Sequence, residues 1–295
     1  MATDASALPS SPIPLHDRYA ELPGVRLHYV EAGTGPLVIL LHGFPEFWYA
    51  WRKQIPALAQ AGYRVVAPDM RGYNLSGKPE GIASYGTRLL VEDVANLIRA
   101  CGEERAFIVG HDWGSGVAWA FAMAHPEMTR RLAVLNGPHP ERLLAAFKNP
   151  EQLVKSWYMF FFQLPWLPEA VSALDGYARW LQTLRDEPLV KESFTHADLA
   201  VYAEAFAQPG ATTAMINYYR AVFRPSLAPQ VARIDTETLV LWGEQDPHLG
   251  RDLAQPDPER VPNARVVYFP DASHWILHER PERVNALLLE HFEKG

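Results

Sequence analysis

Short apolar runs alternate with amphipathic helical patterns along most of the chain. Each run is short and rich in β-branched residues, which is typical of strands buried on both faces of a parallel sheet. The runs cover residues 36–41, 64–69, 106–112, 131–136, 238–243 and 264–269. Helical patterns lie between or after them at 48–60, 85–101, 115–125 and 280–293. This alternation predicts a mostly parallel, doubly wound α/β sheet.

Two regions depart from the alternation. Residues 18–30 alternate in hydrophobicity around a Pro-Gly turn, which predicts an antiparallel hairpin. Residues 139–232 contain no good strand, only aromatic-rich helical segments separated by prolines, and we interpret them as an inserted helical cap. The core domain is then expected to span residues 18–138 and 233–295.

The remaining N-terminal residues, 1–17, are predicted to form a flexible leader. They have neither the basic start nor the apolar stretch of a signal peptide. No apolar run in the chain approaches the roughly 18 residues that a membrane span needs. We therefore expect a cytoplasmic protein without a membrane span.

Composition excludes several classes of protein. The formal net charge is −7 and no Lys/Arg run occurs, which argues against a nucleic-acid partner. A single cysteine, Cys101, excludes an intrachain disulfide framework and a Cys-rich zinc site. With 48% hydrophobic residues the chain can bury a large core, and we expect a monomer or homodimer that uses no metal and no cofactor.

One predicted strand-to-helix turn carries an aspartate at its tip. In IVGHDWGSG (108–116), Gly110 and Gly114 flank Asp112 with the spacing of a hydrolase nucleophile turn. The alternative is an ordinary helix N-cap aspartate. The preceding strand, the glycine pair and the Ala-rich helix that follows favour the nucleophile.

A nucleophile at this turn needs an oxyanion hole. The loop His42-Gly43-Phe44-Pro45 follows the strand at 36–41, so the backbone N–H groups of Phe44 and Trp113 are the expected donors. We interpret His42 as a residue that shapes this loop rather than as an acid or base.

The base and its orienting acid are expected at the ends of the last strands, where open α/β sheets form ligand sites. His274 follows the final strand, although a surface turn residue is the alternative. Glu244 and Asp246 end the preceding strand, and Asp246 is favoured because it lies further out. Some proteins of this fold take the acid from the loop after the strand at 131–136, where this chain has Asn136.

A carboxylate nucleophile limits the substrate. Attack on an ester would give an anhydride, whereas attack on a saturated carbon with a leaving group gives an ester that water can hydrolyse. Alkyl halides, α-halo acids and epoxides remain. No arginine flanks Asp112 to hold a halo acid, and Phe44 stands where a second halide donor of the Asn type would be useful. An epoxide needs a phenol or similar acid in the cap, where Tyr158 and Tyr219 are candidates, with Tyr218 beside the latter.

From about residue 18 to its end the sequence closely resembles the α/β-hydrolase-fold epoxide hydrolases. The blocks that carry the resemblance are HGFPEFWYAWR (42–52), PDMRGY (68–73), GHDWG (110–114), QLPWLPE (163–169), INYYR (216–220), LWGEQD (241–246) and ASHW (272–275). The resemblance implies a nucleophilic Asp112, a His274–Asp246 pair and a cis Phe44–Pro45 bond. One departure is Asn74, where the family usually has glycine.

The same resemblance matches the two cap tyrosines that hold and protonate the epoxide oxygen to Tyr158 and Tyr219. The adjacent Tyr218 leaves a one-residue ambiguity, in which the Asn-aromatic-Tyr-Arg pattern favours Tyr219. The side chains expected to line the substrate pocket are Phe44, Pro45, Trp113, Trp157, Phe161 and Trp275.

These observations predict an enzyme that hydrolyses a small apolar epoxide to a vicinal diol through an ester on Asp112. A haloalkane dehalogenase is the main alternative, because it would use the same Asp112, His274, Asp246 and Trp113. A non-catalytic ligand-binding relative is a remote alternative, since the triad is complete. An ester hydrolase is disfavoured because no serine occupies the turn.

Overall fold

The computed structural model describes residues 13–228 and 230–293. Most of the predicted leader, residues 1–12, lies outside this range. The predicted end of the leader at residue 17 is wrong, because the first strand begins at His16 and pairs residues 16 and 17 with Glu31 and Val30.

The described residues form an eight-stranded, mostly parallel sheet. Its strands are β1 His16–Leu22, β2 Val25–Ala32, β3 Leu37–Leu41, β4 Arg64–Pro68, β5 Ala106–His111, β6 Thr129–Leu135, β7 Thr238–Gly243 and β8 Ala264–Phe269. The spatial order is β1-β2-β4-β3-β5-β6-β7-β8. The β1–β2 hairpin and the β2–β4 pair are antiparallel and the other neighbours are parallel. The predicted hairpin and parallel sheet are confirmed.

Helices cover the sheet and bury its apolar strands. The core helices are α1 Gln54–Gln60, α2 Thr87–Ala100, α3 Trp113–Ala124, α11 Ile276–Glu279 and α12 Pro281–Glu293. Helix α3 packs on β3, β5 and β6, and α2 packs on α3. Strand β3 is buried at every position, as expected for a strand covered on both faces.

Between β6 and β7 the described chain is helical, without a strand. Its helices are α4 Pro140–Ala146, α5 Pro150–Lys155, α6 Trp157–Phe161, α7 Leu167–Leu174, α8 Ala178–Asp186, α9 His196–Phe206 and α10 Ala211–Val222. Prolines begin α4 and α5, where the missing N–H costs no helical hydrogen bond. This helical segment corresponds to the predicted cap, and we call it the cap below.

Strand order changes direction around β3, whose neighbours are β4 on one side and β5 on the other. Ligand sites of open α/β sheets form outside the carboxyl ends of the strands at such a point. The loop after β3 carries Phe44 and the turn after β5 carries Asp112. The fold therefore brings both to one crevice.

Candidate active site

Asp112 occupies a strained turn between β5 and α3. Its backbone has φ 50° and ψ −117°, which a non-glycine residue rarely adopts. A β-carbon at Gly110 would collide with the carbonyl oxygen of Gly114, so the turn requires glycine there. Although Asp112 stands at the N-cap position of α3, its side chain makes no capping hydrogen bond. The carboxylate is thus directed away from the helix.

The loop after β3 holds one oxygen of Asp112. The backbone N–H of Phe44 donates to Oδ1 at 2.7 Å. A β-carbon at Gly43 would lie 2.7 Å from the same oxygen, so only glycine allows this approach. The Phe44–Pro45 peptide bond is cis, as the resemblance implied. Trp113 begins α3, so its N–H belongs to the first turn, whose amides have no partner within the helix.

His42 shapes this loop. Its Nε2 accepts a hydrogen bond from the Met70 N–H at 2.9 Å, and Nδ1 therefore donates to the Gly43 carbonyl oxygen, also at 2.9 Å. Burial lowers the pKa of His42, against smaller opposing effects of that carbonyl and nearby carboxylates. Both ring nitrogens are therefore occupied by backbone groups, one in this loop and one just after β4.

His274 lies between two carboxylates. It follows β8, and its Nδ1 lies 2.7 Å from Oδ2 of Asp246. Its Nε2 lies 3.7 Å from Oδ2 of Asp112. Glu244, the other acid considered in the sequence, instead forms an ion pair with Arg251. The structure therefore brings Asp246, His274 and Asp112, which the sequence predicted as acid, base and nucleophile, together in one row.

Asp246 is held by backbone and side-chain donors. Oδ1 accepts from the N–H groups of His248 and Leu249 at 2.7 and 3.0 Å, and Oδ2 accepts from the Asn136 amide at 2.7 Å as well as from His274. Burial alone would raise the pKa of Asp246, but the charge and hydrogen bond of His274, with the hydrogen bond from Asn136, lower it to about 2.

The pKa of His274 shifts in the opposite direction from that of Asp246. Burial would lower its pKa, but the charge and hydrogen bond of Asp246, with the charge of Asp112, raise it to about 9. In the free protein this raised pKa favours the imidazolium form of the ring at neutral pH. The contribution of Asp112 matters below, because that charge disappears when its carboxylate is esterified.

Two cap tyrosines line the same cavity as Asp112. Tyr158 lies on α6 and Tyr219 on α10, with ring centroids 5.7 Å apart. Burial, together with the Asp112 charge, raises the pKa of both phenols, so both remain protonated hydrogen-bond donors. Tyr218 is engaged elsewhere, because its hydroxyl donates to the Arg71 carbonyl oxygen at 2.7 Å.

A cavity of about 590 Å³ joins these groups. Asp112, His274, Tyr158 and Tyr219 all contribute to its wall. Apolar side chains dominate the rest; those expected from the sequence are Phe44, Pro45, Trp157, Phe161 and Trp275. Trp113, expected among them, lies outside this lining because its indole packs edge-on against Tyr218 and Tyr219.

Three residues at the site were not predicted as functional. Asn136 directly follows β6 with φ 39° and ties Asp246 to the Gly243 backbone. Glu187, at the end of α8, accepts from the Trp275 indole N–H at 3.2 Å and pairs with His248 at 2.8 Å. Asn136 could have been found from its place after a strand. Glu187 and His248 meet across 61 positions, which no local pattern reveals.

Some kinds of site do not occur in the part of the chain that the structure describes. No group of His, Cys, Asp and Glu side chains within residues 13–228 and 230–293 could hold a metal ion. Within the same ranges no helix is long and apolar enough to cross a membrane.

Comparison with known proteins agrees with the fold. Residues 36–281 match the family described as alpha/beta hydrolase fold. An AB hydrolase superfamily protein from Bacillus subtilis is 45% identical over 92% of this chain and 95% of its own length. Human epoxide hydrolase 4 is 38% identical over 90% of this chain and 75% of its own.

A solved epoxide hydrolase from Bacillus megaterium is also similar. A variant of it, complexed with its product (R)-3-[1]naphthyloxy-propane-1,2-diol, superposes with a TM-score of 0.86 at 33% identity, covering 94% of this chain and all of that one. Fold and site thus define a hydrolase of the α/β-hydrolase fold. Within that fold, the chain belongs to the epoxide hydrolase family.

Proposed function

We propose that this protein opens an epoxide to a vicinal diol through a covalent ester on Asp112. The observation that carries the proposal is the arrangement around that carboxylate. Oδ1 is held by the Phe44 N–H, while Oδ2 is directed toward His274 in a cavity that also contains Tyr158 and Tyr219. A nucleophile, a base and two acids then surround one space.

In the first step Oδ2 of Asp112 attacks a ring carbon of the epoxide. The new ester C–O bond forms as the ring C–O bond breaks, and the electron pair of that bond passes to the ring oxygen. Tyr158 and Tyr219 donate hydrogen bonds to this oxygen and one transfers its proton. The raised pKa of both phenols keeps that proton available at neutral pH.

Ester formation then prepares the base. It removes the Asp112 charge, which is one cause of the raised pKa of His274. The pKa of His274 falls, and the imidazolium gives up its proton, which restores the phenol of the tyrosine that protonated the ring oxygen. Neutral His274 can then take a proton from water while Asp246 stabilises the resulting imidazolium. The water oxygen attacks Cγ of Asp112, and the negative charge develops on Oδ1, which the Phe44 N–H already contacts. The tetrahedral intermediate then collapses as the bond between Cγ and the ester oxygen breaks. The departing alkoxide takes the remaining proton of the added water, which gives the diol and restores the Asp112 carboxylate.

The lining of the cavity favours a small apolar epoxide. Aromatic side chains form much of the wall; they include Phe44, Trp157, Phe161, Phe162, Trp180 and Trp275. The Bacillus megaterium relative, whose bound product carries a naphthyl group, is consistent with this class. The Phe44 loop does not favour halide release, because the Phe44 side chain has no hydrogen-bond donor for a departing halide.

Replacing His274 with Gln tests the covalent mechanism. Ester formation needs Asp112 and the tyrosines, whereas its hydrolysis needs the base, so H274Q should accumulate the ester. Intact-mass spectrometry should show an increase equal to the mass of the epoxide, located on the peptide that contains Asp112. A D112A/H274Q double variant is the control and should show no adduct. Lack of an adduct in H274Q, with wild-type turnover confirmed on the same epoxide, would contradict the proposal.

A further inference from the structure

One glutamine side chain connects the cap to the loop that holds the triad acid. Gln152 lies on α5 and is 4% exposed. Its Nε2 donates to the His248 carbonyl oxygen at 2.7 Å and to the Ser156 hydroxyl at 3.0 Å. Its Oε1 accepts from the Gly250 N–H at 3.0 Å. The side-chain amide of Gln152 therefore uses both donor hydrogens and its acceptor oxygen, and its partners lie on two segments, one at Ser156 and one at residues 248–250.

The core partners of Gln152 belong to the Asp246 loop. His248, whose carbonyl Gln152 binds, donates its own N–H to Oδ1 of Asp246 at 2.7 Å. Leu249, which precedes the other partner Gly250, donates to the same oxygen at 3.0 Å. Gln152, a cap residue, thus bonds the backbone of the same loop whose N–H groups hold Asp246.

The cap partner of Gln152 begins the helix that carries Tyr158. Ser156 is the N-cap residue of α6, two positions before that tyrosine. The Tyr158 ring packs edge-on against the His248 ring with centroids 5.6 Å apart, and His248 packs in the same way against His274 at 5.3 Å. The ring contacts of His248 and the hydrogen bonds of Gln152 therefore connect the same two segments, helix α6 and the loop after β7.

We propose that Gln152 is a positioning residue that keeps the Tyr158 helix in register with the Asp246 loop. The proposal rests on the proposed function, in which Tyr158 must reach the epoxide oxygen as Asp112 attacks. Those two groups lie on cap and core respectively, so their distance depends on contacts between the two parts. Misplacement of a reacting group by about 1 Å can reduce the rate about 100-fold.

Q152M tests this role, because methionine has a similar shape and offers none of the three hydrogen bonds. We expect kcat to fall about tenfold to 100-fold, with KM changed less than threefold. Single-turnover measurements should place the loss mainly in ester formation. Q208M is the matched control, since Gln208 is a half-buried cap glutamine whose side chain bonds the nearby Glu204 carbonyl oxygen at 3.4 Å, and it should behave as wild type.

Amide hydrogen exchange separates positioning from local packing without measuring activity. In Q152M, peptides that cover residues 156–162 and 244–252 should both exchange faster than in wild type or Q208M. Faster exchange confined to α5, with kcat and KM within twofold of wild type, would overturn the proposal. Failure of the proposed function is a different result, in which wild type itself turns over no epoxide while the exchange comparison still reports on Gln152.

Discussion

The core and the cap build the same cavity by different physical means. In the core, Asp112, Asp246 and His274 each follow a strand, and short hydrogen bonds fix their carboxylates and ring. In the cap, Tyr158 and Tyr219 lie on helices and are surrounded by aromatic rings such as Phe162. Core groups are thus positioned by directed polar contacts and cap groups largely by packing.

The two regions also differ in how much apolar surface they leave exposed. Among the described residues, every exposed large apolar side chain except Tyr19 lies in the cap; examples are Val154, Trp157, Trp166 and Leu174. Val154 and Trp157 also line the cavity. The cap therefore combines exposed apolar surface with part of the cavity wall, which the core does not. Under the proposed mechanism, the core supplies the nucleophile and base, whereas the cap supplies the acids for the ring oxygen and much of the surface that substrates meet.

The largest expected effect comes from removing the core nucleophile. D112A should lower kcat/KM for any epoxide substrate by about 10⁴-fold or more, because no ester can form. Steady-state kinetics on a styrene oxide panel measures this loss, and circular dichroism checks that the variant is folded. If D112A kept activity within 100-fold of wild type, Asp112 would not be the nucleophile and the role proposed for the core would be wrong.

Changing the cap acids should produce the next largest effect. Y158F/Y219F should reduce epoxide opening by about 10²- to 10⁴-fold, the range typical of general acid catalysis. Y218F is the matched control, because the Tyr218 hydroxyl bonds the Arg71 carbonyl instead of facing the cavity, and its turnover should stay within about threefold. Turnover of a 1-haloalkane should be absent in wild type. If Y158F/Y219F opened epoxides normally, the division of roles between core and cap would be wrong.

The pH dependence of stability should distinguish the core from the cap. The folded pKa of His274 is raised from 6.5 to about 9, so the folded state binds this proton more tightly than the unfolded state. The stabilisation is complete below pH 6.5 and is lost as pH rises through about 9, by on the order of 3 kcal/mol.

Urea unfolding between pH 6 and 10 should therefore show a steeper loss of stability in wild type than in H274Q. Y218F in the cap should keep the wild-type slope while losing about 1 kcal/mol at every pH, from one hydrogen bond. Parallel curves for wild type and H274Q would contradict the charged His274–Asp246 pair.

The smallest effect is expected from Asn136, which supports Asp246 from within the core. N136A removes the amide that donates to Oδ2 of Asp246, so kcat should fall about tenfold with the loss in ester hydrolysis. Rapid-quench measurement of ester formation should give the wild-type rate. Equal slowing of both steps would mean that Asn136 acts on the whole site and not through Asp246.

The sequence predicted the core better than the cap for a physical reason. Asp112, His274 and Asp246 follow strands, and the carboxyl ends of parallel strands meet at one edge of the sheet, so position in the chain implied proximity. Runs such as 36–41 and 238–243 correspond to β3 Leu37–Leu41 and β7 Thr238–Gly243. The pattern of strands along the sequence was therefore enough to predict which core residues lie close together in the site.

Contacts between cap and core have no such periodicity. Gln152 meets His248 across 96 positions, and Glu187 meets Trp275 across 88. Tyr158 and Tyr219 were candidates because an epoxide needs a phenol in the cap, but only family resemblance favoured Tyr219 over Tyr218, because helical spacing does not reveal which ring faces a cavity. The leader boundary was also misplaced, since β1 gains its partner from hairpin pairing with β2 that extends to His16.

A single turnover in oxygen-18 water tests the covalent mechanism most directly. With enzyme in excess over epoxide, the diol should carry no label, because its new oxygen comes from Asp112. The label should instead appear in the peptide that contains Asp112, where water has replaced one carboxylate oxygen. Label in the first-turnover diol and none in that peptide would show that water attacks the epoxide directly, and would contradict the account.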